Sequence, residues 1–218
     1  MAMKRFPLTS ANSYSSKYRP GEKLYATLEL NQVAFPKTGM VVSQTPLGDE
    51  FTLNAPCENG MWVVADKAAG VIKSPAAATD KPIGIVYTTE KEYDIFHYGL
   101  QTFGRKIAGD YPRVGLLGIG DTVTTNCLQY DDSTDFPAVT TAGSEKTSDE
   151  VLDEYLSGDL KNTNKAYVII SNGQNDVKSV PRIVKSLPNG YTGIYGRIVK
   201  YYTVPNGEKG VKYQIISL

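Results

Sequence analysis

The chain of 218 residues contains one histidine, two cysteines and one tryptophan. Each scarcity removes a class of function. Cys57 and Cys127 are too few and too far apart in sequence for a disulfide framework or a zinc site, and they read as small buried apolar residues. His97, set between Phe96 and Tyr98, could act as a general base for one of these thiols. Nothing beside it forms an activated nucleophile or an oxyanion hole, so catalysis there is not expected. No glycine-rich phosphate loop occurs. With 23 basic and 23 acidic residues the formal net charge is zero, which removes the long-range attraction that drives binding to nucleic acid or anionic membranes. No run of about 18 apolar residues could cross a bilayer, and the first fifteen residues lack the apolar core of a signal peptide. No cofactor is implied, and the composition favours a non-enzymatic protein.

Tyrosine, glycine and proline are plentiful, at 15, 20 and 12 residues, and hydrophobic residues at 41% suffice for an ordinary core. Short alternating or apolar runs bounded by Gly, Pro or Asp recur along the chain. Candidate strands are 22–30, with Leu24, Ala26, Leu28 and Leu30 on one face, then 39–43, 50–53, 61–65, 70–72 and 83–89. Gly120 and Asp121 form a turn feeding a strand with Val123, Thr125 and Cys127 on one side. The spacing predicts an all-β (mainly β) fold of small barrel or sandwich domains, with one short helix and a C-terminal β-hairpin.

That helix opens at Thr147, which caps the first turn, with Glu150 three residues later completing a capping box. Val151, Leu152, Tyr155 and Leu156 make its apolar stripe and Gly158 its stop. The hairpin runs from Ile194 through Pro205, Asn206 and Gly207 to Ile216, the Asn-Gly pair favouring positive φ. The expected organisation is an extended N-terminal arm over 1–20, a β-rich domain over 21–132, a loop and helix insertion over 133–164, and a β segment over 165–218 that completes the same domain or forms a second one.

Several residue groups invite chemistry. Asp131, Asp132 and Asp135 have calcium-like spacing, yet the segment lacks the glycine and the bidentate glutamate of a calcium loop, and a solvated turn is expected. Tyr191, Tyr195, Tyr201, Tyr202 and Tyr213 could form a sugar-stacking platform, although tyrosine equally suits strands and subunit interfaces. A hydrolase would need carboxylates such as Asp66, Asp94, Asp110 or Asp121 to converge in space. In the arm, Phe6, Tyr14 and Tyr18 are the candidate partner contacts.

The run Asn59–Lys67 (NGMWVVADK) through Lys81–Tyr87 (KPIGIVY) resembles tailed-bacteriophage head decoration, or cement, proteins. In that family a glycine, an apolar strand, an aspartate and a small loop lead into Ile-Gly-Ile. The detailed resemblance covers residues 60–90, and 120–123 and 195–199 are similar in a looser way. It implies a small β-rich domain, often a β-tulip, that sits outside a capsid as a homotrimer and clamps the major capsid protein. The implied location is the virion head surface after synthesis in the host cytoplasm. The motif carries no catalytic residues. Two other readings remain open, another virion component of the tail, collar or head fibre, and a carbohydrate-binding β module.

Overall fold

The structure, a computed structural model, describes residues 3–5, 41–42, 45–52, 55–80, 83–87, 106–171, 178–203 and 209–218. Phe6, Tyr14, Tyr18, Asp94, His97, the candidate strand at 22–30 and the hairpin tip at 205–207 lie outside these residues. Among the described residues the protein is mostly β, at 38% strand and 7% helix, with two sheets and one helix.

The smaller sheet has five strands in the order β2 (Val41–Val42), β6 (Val114–Leu116), β5 (Ile83–Val86), β3 (Trp62–Asp66), β4 (Val71–Lys73). All four of its pairings are antiparallel. Its central strands alternate between two cores. Trp62, Val64, Ile83 and Ile85 enter the main core, whereas Val63, Ala65 and Val86 enter a second one with Leu47, Phe51, Cys57 and Cys127. Both faces are therefore covered, which is why β3 reads as a nearly continuous apolar run. Gly84 is required by proximity, since a Cβ there would lie 2.4 Å from Val114 Cγ1. The segment at 50–53, expected to be a strand, joins no sheet among the described residues. Thr52 and Ala55 exchange backbone hydrogen bonds, while Phe51 N–H turns back to the Gly48 carbonyl at 3.2 Å and its side chain enters the second core.

The larger sheet has seven strands in the order β1 (Met3–Arg5), β8 (Gln129–Asp131), β10 (Arg182–Val184), β9 (Tyr167–Ile169), β11 (Tyr195–Thr203), β12 (Lys209–Ser217), β7 (Thr122–Thr125). The β8–β10 pair is parallel and the other pairings are antiparallel. Only residues 126–128 separate β7 from β8 in sequence, although the two stand five strand spacings apart in the sheet. Such a connection reaches about 14 Å, whereas a flat sheet would place the strands about 24 Å apart. The sheet must curl until its ends approach, and β1, beyond β8, lies at that seam. Trp62 joins the two sheets across the main core. Its indole Nε1–H donates to the buried Tyr213 hydroxyl at 2.9 Å, and the rings meet edge to face at 6.0 Å.

The helix, α1 (Ser148–Ser157), forms as its sequence predicts. Thr147 Oγ1 accepts from Glu150 N–H and Glu150 Oε2 accepts from Thr147 N–H, a complete capping box. Leu152 and Leu156 are buried in the main core, with Val151 and Tyr155 packed beside them. Gly158 ends the helix for a different reason from the one expected. Its backbone is extended, with φ −71°, and a Cβ would lie 2.2 Å from Asn164 Nδ2, which donates to the Tyr155 carbonyl and closes the helix end.

Candidate functional site

Asp66, Asp110, Asp121 and Asp131 are each committed to a turn. Asp66 Oδ1 accepts from Ala68 N–H and Ala69 N–H, and its Oδ2 receives Lys73 Nζ at 2.8 Å, which lowers its pKa. Asp110 accepts from Ile107 N–H at 2.9 Å. Asp121 is fully buried, accepts from Gly118 N–H at 2.6 Å, and has its pKa raised by burial. Asp131, also buried, accepts from the Ser133 hydroxyl and from Ser133 and Thr134 N–H. Burial opposes its ionisation, but these donors outweigh it and hold its pKa at about 2. Asp135 binds Arg182 at 2.6 Å, although burial pushes its pKa up. The segment considered for calcium is thus a closed turn, with the guanidinium of Arg182 also 3.6 Å from Asp131. Among the described residues no three His, Cys, Asp or Glu side chains gather as a metal-binding group.

Cys57 and Cys127 are both buried free thiols within the second core, and burial raises the Cys57 pKa well above its ordinary value. A thiol in this environment is a packing residue rather than a nucleophile.

The five tyrosines named from the sequence divide among three environments. Tyr213 is in the core, and burial raises its pKa. The Tyr201 hydroxyl donates to Asp153 of α1, as the Tyr130 hydroxyl donates to Asp149, so two strands grip the helix one turn apart. Tyr191 and Tyr195 come together edge to face at 6.5 Å, and Tyr195 meets Tyr167 at 6.0 Å. Tyr202 lies beside Lys200, whose Nζ is 5.5 Å from its ring centre.

The main-core side of β11 and β12 carries Ile198, Val211, Tyr213 and Ile215. The opposite, outward side follows from the alternation along the strands together with the bulge between Ile198 and Lys200, which turns Lys200 outward to stand opposite Lys212. It presents Tyr195, Arg197, Lys200, Lys212, Gln214 and Ile216, all half-buried or exposed. Tyr167 of β9 extends it through its ring contact with Tyr195. Aromatic, arginine and isolated apolar side chains on one open sheet face make the composition of a protein contact surface. Lys200 and Lys212 are directly opposite one another in the β11–β12 register.

This surface was missed in the sequence because zero net charge conceals segregation. Nine carboxylates and a single lysine, Lys146, fall within residues 131–159. Residues 160–218 hold nine basic side chains and two acidic ones. Counting charge by segment would have exposed the division. No protein-family model, no curated protein and no solved structure matches the chain.

Proposed function

We propose that this chain is a non-enzymatic structural protein of a virus particle, bound to the outside of a tailed-bacteriophage capsid lattice and stabilising it. The observation that supports this reading is the open face of β9, β11 and β12, where tyrosines and basic side chains are presented to solvent while the named aspartates and thiols serve the fold. The glycine-bounded run at 60–87, the basis of the resemblance, supplies β3, β4 and β5 of the small sheet. A protein that binds only the assembled shell stabilises it by RT ln(1 + [L]/Kd), and lattice repetition multiplies a modest contact. Its partners in this reading are the major capsid protein and copies of itself as a homotrimer, with Phe6, Tyr14 and Tyr18 of the arm reaching a neighbour.

Quantitative mass spectrometry of density-purified particles tests the reading. Copy number near that of the major capsid protein, or a simple fraction of it, is the expected result. A few copies would move the chain to the tail or collar, and its absence from particles would overturn the virion reading. The row Tyr167, Tyr195 and Tyr191 favours one second reading, a carbohydrate-binding module. A glycan array probed with wild type and Tyr195→Ala decides it, since sugar stacking requires a signal that the variant loses.

A further inference from the structure

Among the described residues, the β11–β12 face holds two lysines with no carboxylate partner. Lys200 and Lys212 face each other across the strand pair, where like charges destabilise a sheet. Among the described residues no carboxylate forms an ion pair with either of them. Arg197 adds a third cation to the same face, its guanidinium donating to the Lys161 carbonyl at 3.2 Å.

The complementary charge lies on α1 and the loop before it. Glu145, Asp149, Glu150 and Glu154 are exposed there. Lys146 offsets part of this charge through Glu154, at 2.6 Å, while the Glu154 side chain stays 67% accessible. Leu152 and Leu156 pack into the main core with Ile198 of β11, so α1 lies on the core side of the large sheet and the lysine pair on the other. The sheet stands between the two charged surfaces, and a single chain cannot bring them together.

From this arrangement we infer that the chain associates head to tail, the acidic α1 surface of one copy docking on the Lys200–Lys212 face of the next. The inference rests on the reading of that face as a contact surface and names its occupant, a second copy. Each copy offers two different patches, so the contact is heterologous and propagates into a closed ring or an open stack. Tyr195, Tyr202 and Ile216 supply apolar area around the ion pairs.

Sedimentation velocity of the purified full chain tests this at about 0.05 M and about 1 M salt, where the screening length falls to about 3 Å. Self-association at low salt, weakened about tenfold or more at high salt, is expected. The double variants Lys200→Glu with Lys212→Glu, and Glu145→Lys with Glu154→Lys, should each sediment as monomers with unchanged circular dichroism. An equimolar mixture of the two restores every opposite-charge contact and should reassemble. A wild-type monomer at low salt, salt-independent assembly, or assembly unaffected by both double variants overturns the inference. So does a monomer that binds a double-stranded oligonucleotide through the same lysines. If the chain is monomeric yet abundant in particles, the inference fails and the virion reading stands; if it self-associates but is absent from particles, the outcome is the reverse.

Discussion

The central strands of the five-stranded sheet are buried on both faces, whereas the β11–β12 pair of the curled seven-stranded sheet is buried on one. In the small sheet each side chain of β3 from Trp62 to Ala65 meets one core or the other, leaving little freedom for anything but packing. In β11 and β12 the inward positions are equally constrained, but the alternate ones face solvent and carry charge and aromatic area. A doubly covered sheet supplies rigidity, and a singly covered one supplies rigidity together with a surface.

Substitutions can break this contrast, beginning where the two sheets meet. Trp62→Ala removes the indole and strands the Tyr213 hydroxyl, and should cost about 3–5 kcal/mol in urea denaturation. Gly84→Val forces side-chain atoms against Val114 and the Gly115 carbonyl, and should cost about 3 kcal/mol without altering the outward face of β11. Asp131→Ala removes the buried carboxylate that accepts from Ser133 and Thr134 and stands beside Arg182, at a cost of about 2 kcal/mol near neutral pH.

The same carboxylate gives a pH dependence of defined sign. The folded Asp131 pKa, about 2, is below its ordinary value of 3.8, so its contribution is present above the unfolded value and is lost as pH falls from about 4 towards 2. Acid unfolding followed by tryptophan fluorescence should show this loss in wild type, and the difference between wild type and Asp131→Ala should shrink over that window. Thr147→Ala removes half of the capping box and should cost about 1 kcal/mol, with Thr147→Ser restoring most of it. At the open face the sign reverses. Lys212→Glu replaces a repulsive cross-strand pair by an attractive one and should raise the monomer's stability by about 0.5 kcal/mol, measured by thermal denaturation.

Much of the fold could be read in the sequence because its signals are local. The run from Ile194 to Ile216 around Asn206 and Gly207 marked the hairpin, whose strands β11 and β12 pair antiparallel, and Thr147 with Glu150 marked the helix start. What could not be read depends on distant residues. Nothing near Asp131 announces Arg182, which reaches it from a strand about fifty positions on and adds ion pairs to a turn that buries Asp131 while Ser133 and Thr134 stay exposed. Gly158 was legible as the helix stop, and only the approach of Asn164 reveals that space, not φ, demands glycine there. The tyrosines were visible as a group, but their division between core, helix clamp and open face is decided by which strand neighbours which.

The position of β12 carries a consequence for synthesis. This strand leaves the ribosome after every other described strand, yet it lies between β11 and β7, and its Tyr213 meets Trp62 across 151 residues of chain. Until it emerges, β7 lacks its partner among the described strands and the indole lacks the Tyr213 hydroxyl. Contacts this distant in sequence make folding slow, and the join of β7 to β11 waits for residues 209–217.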